Sequence, residues 1–187
     1  LQRKDGLPNF NYMFHGDQSL FKEETDNHGA GFEIFLLLFE KGLKISEPRA
    51  IYINRHIVTH VFYLLSAFAG YVLVWKLFRN KFIASLGFVL LAFTPRLYGH
   101  SFFNSKDIPF MCMILVTLVA SQAAFSKNKT WLYLLTGLAC GYATSIRIMG
   151  IMLAAFLFLF LVIDFINALK EKQKPVKPIL NIVLFAV

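Results

Sequence analysis

The chain has 187 residues, of which 57% are hydrophobic and only 16% charged, and 21 are Phe; its mean hydropathy is +0.57. Ordinary soluble domains carry about 25% charged residues, and here the apolar residues also fall in long runs, so a soluble protein is excluded in favour of a membrane protein of several spans. The net charge of +8 would suggest nucleic acid on a soluble domain. No nucleic-acid-binding motif is present, and loop Lys and Arg retained on the cytoplasmic side of a membrane account for the excess.

In chain order, Leu1–Ser46 is polar and aromatic, with one mainly apolar stretch, Phe32–Phe39, interrupted by Glu33. A helix of that length is about 12 Å long, against a hydrocarbon core of about 30 Å. It cannot span, and an interfacial helix lying on the membrane is expected. Ile57–Trp75 is a full span, entered from Tyr52. Phe82–Phe93 is apolar and stops at Thr94-Pro95. Ile108–Phe125, Trp131–Ile146 and Met149–Ile166 are apolar, the last apart from Asp164, and a further span begins at Ile179. The chain does not open on Met and stops inside an apolar run, so it reads as a segment with more sequence expected at both ends. Cys112 and Cys140 lie in apolar runs and read as buried packing thiols.

Three connectors are basic: Lys76–Lys81, Ser126–Lys129 and Lys170–Lys177. The positive-inside rule places all three in the cytoplasm. An even number of crossings must then separate each pair. Phe82–Phe125 goes out and returns, turning in Pro95–Asp107; Trp131–Asn167 does the same, turning near Arg147–Gly150. Leu1–Ile51 falls on the outer side. Eight of the eleven acidic residues lie in that outer segment. Arg55, His56, Arg96, His100, Asn104, Lys106, Asp107 and Arg147 also lie at or near the outer face, so an active site is expected there.

The turn from Thr94 to Pro109 is the densest polar site. Pro95 ends one helix by disfavouring helical geometry at Thr94. Ser105 or Asp107 can cap the next, with Pro109 tolerated in its first turn. A helix start beside Lys106 suits an anion, and a plain loop has no need of Arg, His, Asn, Lys and Asp together. Arg147 is the one charge between Lys129 and Asp164. Its planar fork suits phosphate, whereas a bland Arg there would snorkel. Asp26-Asn27-His28 precedes two turn glycines and Glu33, and offers a general base or a capped helix start.

On the first span, Tyr52, His56, Thr59, His60, Tyr63 and Ser66 share one side at helical spacing, a polar stripe facing the bundle or a cavity. His56 and His60 could share a metal, but two His make a weak signal and no metal site is expected. Gly137-x-x-x-Gly141 reads as a small-residue packing face.

With these residues in view, the sequence resembles a family. Asp-x-His-Gly-x-x-Phe-Glu (Asp26–Glu33), Arg55-His56, Pro95-Arg96-x-x-Gly99-His100-Ser101-Phe102-Phe103-Asn104-x-Lys106-Asp107-Ile108-Pro109 and Thr144-x-x-Arg147-x-x-Gly150 together resemble bacterial polytopic glycosyltransferases of the GT-C type, akin to family 39. That group includes protein O-mannosyltransferases and lipid A aminoarabinose transferases. The resemblance implies an all-α, GT-C-like transmembrane helix bundle. It also implies transfer of a sugar from a polyprenyl-phosphate carrier to an acceptor hydroxyl at the outer membrane face. In such enzymes the base is an acid of the first outer loop, within an Asp-Glu pair soon after a first span that this chain lacks. The resemblance thus implies a base at Asp26 or at a residue before Leu1, while the residues themselves offer Asp107 or Asp26 for positioning or proton removal. A Lys common in the turn matching Arg147 is replaced by Arg, which keeps the charge.

The expected organisation is an outer-face segment, residues 1–51, with an interfacial helix, followed by a transmembrane bundle, residues 52–187. The catalytic candidates are Asp26 and Asp107. Candidates for the lipid phosphate and substrate are Arg147, Lys106, Arg96, His100, Asn104, His28, Glu33, Arg55 and His56. Membrane lipid, a polyprenyl-phosphate-linked sugar donor and a hydroxyl acceptor are the expected partners, without nucleic acid or a bound cofactor, in a bacterial inner membrane. The rival is a transporter, in which the outer cluster gates a path and Arg147 binds an anion; it lacks a matched pair of broken helices and a polar trail through the cytoplasmic half.

Overall fold

The structure, a computed structural model, describes residues 29–45, 47–127, 129–170 and 176–186. It is helical throughout, with no strand among the described residues. The helices are α1 (Gly31–Gly42), α2 (Pro48–Phe78), α3 (Lys81–Phe93), α4 (Pro95–Phe103), α5 (Asp107–Lys127), α6 (Thr130–Ile146), α7 (Gly150–Lys170) and α8 (Val176–Ala186).

Local chemistry sets most of the boundaries. Proline opens both α2 and α4, where its missing N–H is no loss. The Asn80 side chain accepts from the N–H groups of Phe82 and Ile83 and so caps α3. Arg79 ends α2 in the left-handed region, φ 55°. Thr94, held extended by Pro95, separates α3 from α4. The two helices meet at 57°.

Two helices, α2 and α5, are long and apolar enough to cross a membrane, and α3 with α4 would make a third, broken span. Only 33% and 39% of the apolar windows of α2 and α5 are buried within the chain. The rest of their surface, with exposed Leu64, Leu65, Phe68 and Val116, is apolar, as a hydrocarbon-facing bundle requires.

Side-chain pairs fix the helix directions. The Tyr63 hydroxyl reaches Leu91 O and Ala92 O at 2.7 and 2.9 Å, and His60 Nδ1 reaches Ser101 Oγ at 2.9 Å. Thus α3 and α4 run back along α2. The return α5–α6 is closed by an Arg147–Asp107 ion pair. One end of the bundle therefore gathers the start of α2, the end of α4, the start of α5 and the end of α6. The basic connectors after α2 and α5 lie at the opposite end, in keeping with the parity of the crossings.

The stretch expected to lie on the membrane forms α1, and one face of that helix is buried within the bundle. Phe32 and Leu36 are buried against Val58 and Ile146, with Phe62, Phe110, Met113 and Tyr142 around them. Ile34, Leu37 and Leu38 remain exposed. The helix thus clamps α2, α5 and α6 with one face and offers the other to its surroundings.

Two expectations are corrected. The supposed turn Pro95–Asp107 is mostly the helix α4, because Pro95 starts a helix as readily as it ends one and nothing in the next eight residues breaks it. The Gly137–Gly141 face is half correct. A Cβ on Gly137 would sit 3.0 Å from the Phe185 carbonyl carbon, so α8 packs there, whereas a Cβ on Gly141 meets nothing within 4 Å.

Candidate active site

The corner between α4 and α5 is built by Asn104. Its Oδ1 accepts from the N–H groups of Lys106 and Asp107 at 3.1 and 2.7 Å. This satisfies two donors at the opening of α5. The cap is therefore Asn104, in place of the expected Ser105 or Asp107. Asp107 is left with its carboxylate for other work. Asn104 Nδ2 donates to Asp107 Oδ2 at 2.9 Å, and Arg147 Nη1 pairs with Asp107 Oδ1.

Arg147 reaches this corner because α6 stops one residue before it. Arg147 is extended, φ −143° and ψ 133°, and its N–H still bonds Ala143 O at 3.1 Å. Gly150 N–H returns to Arg147 O at 2.9 Å, closing a tight turn into α7. A Cβ on Gly150 would lie 2.6 Å from Thr144 N and 2.7 Å from Thr144 Oγ1. The Thr144-x-x-Arg147-x-x-Gly150 spacing thus has a steric cause: only glycine lets the turn fold tightly enough to project Arg147.

A second network adjoins the first. Arg55 on α2 holds two carboxylates of α1: Nε meets Glu40 Oε1 at 2.8 Å, and Nη1 meets Glu33 Oε2 at 3.1 Å. The other Glu33 oxygen accepts from Ser105 Oγ at 3.0 Å. Arg55, Arg96, Lys106 and Arg147 thus share this end of the bundle with Glu33, Glu40 and Asp107.

The histidine stripe is a tether. Ser101 spends its hydroxyl proton on Tyr98 O at 2.6 Å, so it accepts from His60, whose proton sits on Nδ1. By the same logic His56 Nδ1 donates to the Phe102 carbonyl. His60 also stacks on Phe102 at 4.4 Å between ring centres. Both imidazoles thereby fasten α4 to α2, and no cluster of metal-ligating residues forms among the described residues. Arg96 and His100 are exposed on α4, and with Phe103, Asn104, Ser105 and Lys106 they line shallow depressions open to the surroundings.

The structure therefore brings Glu33, Arg55, Asn104, Asp107 and Arg147 into contact or into one chain of contacts, with Lys106 on the same corner. Asp26 and His28 lie outside the described residues. The glycines just after them are placed: a Cβ on Gly31 would lie 3.0 Å from the Ser145 carbonyl carbon, so the approach to α1 runs against the end of α6, two residues from Arg147. Sequence reasoning missed Glu40, which is 5% exposed. Its signal was the seven-residue spacing from Glu33, which puts both acids on one helix face.

A family model described as dolichyl-phosphate-mannose-protein mannosyltransferase matches residues 38–187. The matched range takes in Glu40, Arg55, the Asn104–Asp107 corner and Arg147, and begins after Glu33. No curated protein and no solved structure matches the chain.

Proposed function

The chain belongs to the dolichyl-phosphate-mannose-protein mannosyltransferase family, and from that premise we propose that it forms the outer-face site of a membrane glycosyltransferase using a polyprenyl-phosphate sugar. The acceptor hydroxyl oxygen attacks the anomeric carbon. The bond from that carbon to the phosphate oxygen breaks, and the polyprenyl phosphate leaves with the electron pair. The hydroxyl proton passes to a carboxylate.

The observation that carries this reading is the Arg147–Asp107 pair at the polar end of an apolar bundle. A guanidinium fixed at that level can bond a lipid phosphate while its prenyl chain stays in hydrocarbon. Charge stabilisation of the departing phosphate is the larger catalytic task, and Lys106 adds a second cation beside Asp107. Asp107 has one oxygen engaged by Arg147 and the other by Asn104. That engagement favours a role in holding Arg147, with proton removal by Asp26 or by an acid outside this chain.

The test is sugar transfer in membranes containing the complete protein, supplied with polyprenyl-phosphate sugars and scored for lipid phosphate released together with glycosylated acceptor. Release and transfer that both depend on Arg147 support the assignment. A wild-type protein that consumes no such donor overturns it.

A further inference from the structure

Glu40 lies outside the candidate corner, yet it is the most deeply buried carboxylate among the described residues, 5% exposed. Arg55 is spread across three contacts: Nε and Nη2 on the two oxygens of Glu40, at 2.8 and 3.4 Å, and Nη1 on Glu33. Glu33 then holds Ser105. Ser105 stands between Asn104, which caps α5, and Lys106. The order Glu40, Arg55, Glu33, Ser105 thus runs from the buried side of α1 to the residue next to the cap.

Two features make this more than an anchor for α1. First, Phe32 and Leu36 already fasten that helix apolarly, so its attachment does not require a buried charge. Second, one Arg faces two carboxylates, and the fork is oriented by the buried one. Without the Glu40 charge, Nε and Nη2 lose their charged partner and the guanidinium is free to rotate toward Glu33 alone. The angle at which Glu33 meets Ser105 then changes, and the corner moves with it.

The geometry points to Glu40 as a positioning residue: through Arg55 and Glu33 it sets the Asn104–Asp107 corner on which Arg147 and Lys106 converge. Its effect on turnover rests on the transferase reading above, whereas its effect on the corner does not. A misplacement of about 1 Å at a reacting centre can cost about a hundredfold in rate, so the loss should fall on kcat more than on KM.

The experiment is a substitution cycle of Glu40→Gln and Ser105→Ala in the complete protein, with membrane level checked for each variant. Two readouts are taken: kcat and KM for a polyprenyl-phosphate sugar, and the rate at which an impermeant thiol reagent labels Lys106→Cys. The two cysteines of this chain, Cys112 and Cys140, are buried, and any others in the complete protein are replaced by serine. Each single substitution should lower kcat about tenfold or more, leave KM within about twofold and speed labelling about fivefold; the pair should be no worse than the stronger single, as members of one relay are not additive. Unchanged labelling in Glu40→Gln, or additive effects in the pair, overturns the relay. Should Glu40→Gln fail to accumulate, Glu33→Gln takes its place, since it cuts the same path at a more exposed residue. Should the wild type transfer no sugar, the transferase reading falls, and the labelling cycle alone decides the relay.

Discussion

Arg147, the first residue after α6, pairs with Asp107, the first residue of α5, forty positions earlier in the chain. The pair links two returns at the same end of the bundle and turns a flexible cation into an oriented one. Among the described residues Asp107 is the one side chain that bonds the guanidinium, and Nη1 is the donor it uses, so an anion would be met by the others. For a lipid-phosphate donor, Arg147→Ala should weaken polyprenyl phosphate binding by about 2 kcal/mol, or about 30-fold, at the low end for charge pairs because the side chain is one-third exposed. Arg147→Lys should retain part of the affinity. Equal binding by wild type and both variants would leave Arg147 as a snorkelling residue.

Asp107 and Asn104 can be separated by substitution. Because Asn104 supplies the cap, Asp107→Asn should leave the start of α5 intact and lower transfer by releasing Arg147. Asn104→Ala should cost about 1 kcal/mol of stability and lower transfer as well. Asn104→Ser keeps a capping oxygen while losing the Nδ2 donor to Asp107, so it should restore thermal stability in detergent more than it restores turnover. Full turnover in Asp107→Asn would reduce Asp107 to an element of helix geometry.

Arg55 neutralises a buried acid, so its loss should be worse than the loss of either partner. Arg55→Ala should destabilise the protein by about 3 kcal/mol, because Glu40 is left charged without a counter-ion. Adding Glu40→Gln should recover most of that stability without recovering activity. Melting curves of the purified variants read the first effect. A double variant no more stable than Arg55→Ala would show that the ion pair is not what Arg55 contributes.

The glycines differ in what they permit. Gly150→Ala brings a methyl against the backbone of Thr144, and Gly137→Ala one against the backbone of Phe185; both should lower the melting temperature, and Gly150→Ala should also displace Arg147 and lower transfer. Gly141→Ala meets open space and should gain about 0.5–1 kcal/mol from reduced backbone freedom in the unfolded chain. A destabilised Gly141→Ala would indicate a neighbour outside this chain at that face.

The basic connectors predict which end of the bundle faces the cytoplasm, and single cysteines test it. In intact cells, probes at Asn80 and Lys129 should be shielded from an impermeant reagent, and probes at His100 and Ile148 should label. Ser101 is unsuitable because it is fully buried beneath α2. Labelling at Lys129 with protection at His100 would invert the arrangement.

Much of the fold is legible in the sequence because each cue is local or periodic. Apolar runs set the helices, proline marks the break between α3 and α4, and basic loops set which turns share a side. Parity alone then carries Arg147 to the end of the bundle that holds Asp107. The weaker inferences come where one residue type has two uses. Pro95 reads as a stop and is also a start, so α4 reads as a turn. Two glycines four apart read as one packing face, although only Gly137 meets a neighbouring helix.

The sequence by itself determined a helical membrane bundle, the order of its helices and the end at which the versatile side chains collect, since these depend on hydrophobic period, length and loop charge. The tertiary structure decided the partnerships. Which carboxylate holds Arg147 and why Glu40 can be buried depend on distances between residues far apart in the chain. Those distances come from how α1, α2, α5 and α6 pack, and no local pattern encodes them.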